Sequence, residues 1–214
     1  MAEFKIVDAT IGDIHAAYQD GTLTARQLVE TYLDRIERYD RNGPTINSVI
    51  SVNPKALDEA DRLDAAFKAR GLTGPLHGIP LMMKDQGDVA EMPTTLGSIL
   101  FEGHMPGRDA FVVAKLKAAG AIFIGKATLG ELGAGDTHGS LFGSTKNVYD
   151  LDRTAGGSSG GSGEIGGAVW IESSSSPDGT TVSRDTGHDD RQMTTMMMPS
   201  SEQRTRASTA LLMQ

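Results

Sequence analysis

Lys84 and Ser158 are the residues whose types and surroundings could do chemistry together. Lys84 closes the run Gly78-Ile79-Pro80-Leu81-Met82-Met83-Lys84-Asp85, an apolar stretch that ends in charge. A lysine at a solvated strand end, with an aspartate beside it, is ordinarily half of a surface ion pair worth under about 1 kcal/mol. Burial changes this, because desolvation disfavours the ammonium form and lowers the pKa. A neutral amine is a competent general base. Ser158 lies inside Gly156-Gly157-Ser158-Ser159-Gly160-Gly161-Ser162-Gly163. A serine hydroxyl becomes a useful nucleophile or proton carrier only when a base is positioned beside it. On composition alone the same run also reads as a flexible linker. Against that, the residues before it (Asn147, Tyr149, Asp150, Asp152 and Arg153) read as ordered loop.

The run satisfies other patterns too. Gly156 to Gly160 fits G-x-S-x-G, the nucleophile elbow of α/β-hydrolases. That elbow needs an apolar strand before the serine, and Asp150 to Ala155 is polar. His188 is the only histidine downstream, and it lies in an unpatterned segment. Gly161 to Gly166 fits G-x-G-x-x-G, but it follows glycines rather than a strand. Gly120 to Ala127 approaches a phosphate-binding loop, but Ala127 stands where a magnesium-binding hydroxyl is needed, and Ala-Ile-Phe-Ile favours a strand.

The elements that must position Lys84 and Ser158 are legible in outline. Thr10 to Asp20 reads as a short helix. Thr24 to Tyr39 reads as a second, opened by the capping box Thr24-Ala25-Arg26-Gln27 and ended by Gly43-Pro44. Pro54 to Arg70 reads as a third, with Leu57, Ala60, Leu63 and Phe67 on one face. These three helices are expected to cover one face of a sheet. Gly78 to Asp85 reads as a buried strand, Ala110 to Ala119 as a helix and Gly120 to Gly125 as a strand. Thr128-Leu129-Gly130-Glu131 matches a capping box and predicts a helical turn. Alternating strands and helices predict an α/β fold with partly parallel strands. From Gly133 the chain is expected to be Gly-rich and irregular.

The 214-residue chain suits one domain, or one domain plus a tail. Its 38% hydrophobic and 22% charged residues suit a soluble globular protein. A net charge of -8 argues against binding to a phosphate backbone, so no nucleic-acid partner is expected. The absence of cysteine excludes disulfides and thiolate chemistry. No signal peptide and no membrane-spanning run is visible, so the expectation is a cytoplasmic protein without a membrane partner.

Taken together, Gly78 to Asp85, then Gly125-Lys126-Ala127-Thr128-Leu129-Gly130-Glu131, then Arg153-Thr154-Ala155-Gly156-Gly157-Ser158-Ser159-Gly160-Gly161-Ser162 resemble the amidase signature family. Lys84 and Ser158 are 74 residues apart, the separation that family shows. Order, spacing and flanks agree over roughly residues 5 to 171, the N-terminal half of a family member. The resemblance implies a mixed central sheet flanked by helices, incomplete here, and a Ser-cisSer-Lys triad that cleaves amide C–N bonds through an acyl-enzyme. Lys84 resembles the base. Ser158 resembles the serine, reached through a cis peptide bond, that relays a proton from the nucleophile. The resemblance gives Gly156, Gly157, Gly160 and Gly161 roles in close approach and in stabilising an oxyanion. It implies a small-molecule amide substrate, with no metal and no organic cofactor.

The family's nucleophile lies farther along, near where Thr181-Val182-Ser183-Arg184-Asp185 falls here. Ser183 lacks the glycine pair and apolar flank, so the role is not transferred and the nucleophile stays unassigned. Residues 172–214 contain no Lys, no Ile and no aromatic residue, and hold five of the ten methionines. They are expected to be a disordered tail following an amidase-like part at 1–171, with the family sequence lost from about Glu164 or Trp170. The functional expectation is an amide hydrolase truncated before its nucleophile and therefore weakly active or inactive. The alternatives are a non-catalytic fragment or binding protein, and a serine esterase using Ser158. An incomplete sheet would expose an edge and part of its core, which favours self-association.

Overall fold

The structure is a computed structural model and describes residues 4–7 and 9–165. The expected disordered tail at 172–214, with Ser183 and His188, lies outside the described residues. The fold is mixed α/β, as the alternation of strands and helices predicts. Four α-helices are described: α1 (Ile11–Asp20), α2 (Ala25–Arg35), α3 (Ala56–Arg70) and α4 (Phe111–Ala118). The main sheet has three strands, β1 (Val49–Val52), β2 (Pro80–Lys84) and β3 (Ile122–Ala127), in the order β1-β3-β2. β2 runs parallel to β3, and β1 runs antiparallel to it.

Local sequence explains the helix starts. Thr10 and Asp13 form a complete capping box on α1, and Thr24 and Gln27 form one on α2. The first turn of α2 gains a second cap from α3, because the Ala25 and Arg26 amides donate to the Asp64 carboxylate at 2.8 and 3.1 Å. α2 does not run on to Tyr39 as a plain α-helix. It passes into a π-helical stretch at Ile36–Arg41. The third helix begins at Ala56, with Pro54 in the turn ahead of it.

The core forms where these helices meet β2 and β3. Ile14, Leu28, Leu63, Ile79, Val113, Ile122 and Phe123 are all buried in one cluster. β3 is buried at every position, as a central strand should be. Each fully buried aliphatic or aromatic side chain here contributes roughly 1.5–3 kcal/mol to the folded state.

Three further features depart from the sequence expectations. β1 was not foreseen, and it extends the sheet beyond β3. The stretch after Gly133 holds two small hairpins, β4 (His138–Gly139) with β5 (Gly143–Ser144), and β6 (Lys146–Asn147) with β7 (Asp150–Thr154). The capping box expected at Thr128 does not form. The Thr128 hydroxyl donates to the Ser48 carbonyl and pairs with the Thr145 hydroxyl at 2.7 Å, and Glu131–Gly133 forms only a 3-10 turn without a side-chain cap. A buried hydroxyl must find a partner, and here tertiary partners supply it. Among the described residues, no helix is long and apolar enough to cross a membrane. Ile99 and Leu100 are large apolar side chains left 59% and 81% exposed.

Candidate active site

Lys84 is the last residue of β2, so its side chain leaves the sheet at the strand's carboxyl end. In α/β folds that end is where ligand-binding loops gather. β3, parallel to β2, delivers the loop 128–137 to the same end. The Gly/Ser run lies against that loop. Gly130 N–H donates to the Ser158 carbonyl at 2.9 Å, Thr137 N–H to the Gly156 carbonyl at 2.6 Å, and Gly160 N–H to Thr137 Oγ1 at 2.8 Å. The run is therefore an ordered loop, and residues 160–165 continue it as a helical turn.

This docking brings Lys84 and Ser158 together. Lys84 Nζ donates to Ser158 Oγ at 2.9 Å and to Ser159 Oγ at 2.9 Å. Both serines are part-buried, and the peptide bond between Gly157 and Ser158 is cis. Burial holds the Lys84 pKa below the ordinary lysine value. Ser159 was not singled out in the sequence. Spacing alone does not separate it from Ser158, because the two stand side by side in the same run.

The glycines of the run have distinct geometric reasons. Gly156 has φ +71°, a left-handed conformation that glycine adopts without strain. At Gly157 a Cβ would stand 2.0 Å from the Gly135 carbonyl oxygen, so only glycine permits this approach. The Gly160 amide is engaged by Thr137, and a Cβ there would meet the same hydroxyl at 2.2 Å.

Asp85, next to Lys84, does not pair with it. Its carboxylate is fully buried beside the equally buried Lys126, with Oδ1 3.1 Å from Nζ. Oδ2 accepts from the Thr95 amide at 3.0 Å and from the Thr95 hydroxyl at 2.6 Å. Lys126 Nζ also donates to the Pro93 carbonyl and the Thr94 hydroxyl. Burial pushes the Lys126 pKa down, while Asp85 opposes that shift. The sequence showed both residues, yet nothing in their spacing marked them as partners. A cavity of about 420 Å³ is lined by Ser51, Thr95 and Phe142 among others, and neither Lys84 nor Ser158 borders it.

A lysine depressed by burial and shared between two serines, at the carboxyl end of parallel strands, defines a lysine–serine site rather than a serine–histidine one. The chain belongs to the amidase family, which matches residues 27–170. It is 41% identical over 155 residues to a glutamyl-tRNA(Gln) amidotransferase chain of Halorhodospira halophila, covering 72% of this chain and 31% of that protein. Among solved structures it resembles the peptide amidase of Stenotrophomonas maltophilia, with a TM-score of 0.69 and 38% identity over 72% of this chain and 33% of that one. It also resembles an amidase family protein of Bacillus anthracis, with a TM-score of 0.70 and 33% identity over 75% of this chain and 33% of the other. The chain thus spans about a third of the length of the relatives it matches.

Proposed function

We propose that Lys84 and Ser158 are the general base and the proton relay of a site that cleaves amide C–N bonds. The contact that carries this reading is Lys84 Nζ to Ser158 Oγ at 2.9 Å. As an ammonium, Lys84 donates to both serines. Once neutral, it has a lone pair that can accept the Ser158 proton. Ser158 can then take the proton of an attacking hydroxyl, and the transfers run in reverse to protonate the leaving amine. Backbone amides of the 156–161 loop are suited to the developing oxyanion.

The nucleophile is not assigned among the described residues. We therefore expect this chain to hydrolyse amides weakly or not at all. A glutamyl-tRNA(Gln) amidotransferase and a peptide amidase share the amide bond and little else as substrates, so the amide bond is as narrow a substrate class as we assign. The esterase reading draws no support from the geometry. β7, ahead of the run, is an exposed hairpin strand, and the partner of Ser158 is a lysine.

The test is incubation of the full chain with an aryl amide and, separately, with a fluorophosphonate probe, followed by peptide mapping. Slow hydrolysis abolished by Lys84→Ala and by Ser158→Ala, with the label on another serine, fits the relay role. The absence of both hydrolysis and label would count against the relay role and favour a non-catalytic fragment. A label on Ser158 itself would refute the relay role and restore the nucleophile reading.

A further inference from the structure

We propose that Thr95 is a positioning residue that keeps Ser158 in register with Lys84, acting through Asp85 and the segment 95–97. The proposal rests on the reading of Lys84 as the base. Contacts run in a closed circuit from one catalytic partner to the other. Lys84 is bonded in the chain to Asp85, whose Oδ2 accepts from both the amide and the hydroxyl of Thr95, at 3.0 and 2.6 Å. Thr95 Oγ1 in turn accepts from the Gly97 amide at 3.2 Å, which closes the turn around Leu96. The Leu96 carbonyl accepts from the Leu132 amide at 2.9 Å. Leu132 belongs to the 3-10 turn whose preceding residue, Gly130, donates its amide to the Ser158 carbonyl at 2.9 Å. Ser158 Oγ then meets Lys84 Nζ and the circuit closes.

The circuit is stiff where stiffness matters. Asp85 is fully buried against Lys126, so it cannot swing to follow a shifted loop. Thr95 is only 6% exposed and contributes two of the contacts on Asp85. Leu96 and Leu132 both hold positive φ, at 52° and 55°. Side chains adopt that conformation only where their surroundings impose it. A second tether runs parallel to the first, because Ser140 accepts from the Ile99 amide and donates to Glu131. The base is thus fixed to the sheet, while the serine is fixed to loop 128–137, which continues directly from β3 and is braced against the segment 95–99 through Leu96 and Ser140. Removing the Thr95 hydroxyl frees the serine side and admits water around Lys84.

The experiment is pulse acetylation of the full chain with acetic anhydride, with peptide mapping of Lys84 and of exposed Lys55. The readout is the rate at about pH 8 divided by the rate at about pH 10, which follows the neutral amine fraction and rises as the pKa falls, by about fivefold per unit for an amine that titrates between those two pH values. In the parent protein the ratio for Lys84 should exceed that for Lys55. Thr95→Val should lower the Lys84 ratio toward that of Lys55 as water reaches the amine. Thr95→Ser should restore it, and Lys55 should be unaffected by either change. A Thr95→Val protein that unfolds cooperatively yet keeps the parent ratio overturns the positioning role and leaves the base reading standing. A parent ratio equal to that of Lys55 overturns the base reading and this proposal with it. Should Thr95→Val fail to fold, Thr95→Ala, which removes the same hydroxyl and keeps the amide bond to Asp85, takes its place, and an unchanged Lys84 ratio there counts against the proposal in the same way.

Discussion

Replacing Lys126 with methionine should cost more stability than any other single change near the site. The side chain is fully buried and lies 3.1 Å from the equally buried Asp85 carboxylate. Methionine fills most of the same volume, so little of the loss is cavity. What is lost is the counter-charge of Asp85, together with donors to the Pro93 carbonyl and the Thr94 hydroxyl. Asp85 keeps its two bonds from Thr95, which satisfy one oxygen and leave the other without a cation. Breaking a buried pair from one side typically costs about 3–5 kcal/mol. That is a large share of the roughly 5–15 kcal/mol a domain possesses. The assay is urea unfolding followed by far-UV circular dichroism in the cold, for the parent, Lys126→Met, Asp85→Asn and the double variant. With the charge gone from both sides, the double variant should lose about 1–3 kcal/mol less than the sum of the single losses. A Lys126→Met loss below about 1 kcal/mol, or single losses that simply add, would refute the view that this pair holds the segment under the site.

Lys84 has a folded pKa lowered by burial, so between that value and the unfolded value the unfolded chain binds more protons and stability rises with pH. Lys84→Met should therefore be more stable than the parent at neutral pH, with the advantage shrinking under alkaline conditions; denaturant midpoints across pH test this, and a constant advantage contradicts it. Glu164 shows the opposite sign. Burial raises its pKa against the lowering effect of the Val148 amide bond, so its contribution is present below the unfolded pKa and fades as pH rises through the folded one. Glu164→Gln keeps an acceptor for Val148 and should remove that acid-side slope in the same titration. Gly157→Ala should destabilise by about 1–3 kcal/mol, because its Cβ would overlap the Gly135 carbonyl oxygen, and it should abolish any amide hydrolysis; an unchanged thermal midpoint would contradict the close approach.

How much of this was legible in the sequence depended on the range of the signal. Thr10, Thr24 and the apolar faces of α1 to α3 act within a turn or two, and those helices formed where the pattern placed them. The parallel pairing of β2 and β3 followed from strand, helix and strand in succession. β1 was missed because it is four residues long and gains its identity from pairing with β3 rather than from its own alternation. Thr128 misled for the same reason in reverse. It sits correctly for a local cap, but Ser48 and Thr145, distant in sequence, reach its hydroxyl first.

The site shows the same division. Lys84 and Ser158 could be picked out from motif and spacing, because each sits in a short run of unusual composition. Their alignment could not be read that way, since it depends on groups that carry no motif. Asp85 looks like a partner for its neighbour Lys84 and is instead a partner for Lys126, contributed by β3. Thr95 and Leu96 sit in an unremarkable loop, yet they join the carboxyl end of β2 to the turn that holds Ser158. An amine and a hydroxyl supplied by segments 74 residues apart must be held to within a few tenths of an ångström if they are to exchange a proton. Lys84 has a long side chain with many rotamers, so rigid strands alone cannot supply that precision. It must come from the loop side, where Gly157 allows the closest approach and the buried Asp85 carboxylate anchors the loop through Thr95. The alignment of Lys84 with Ser158 therefore draws on a buried carboxylate as well as on the lysine beside it.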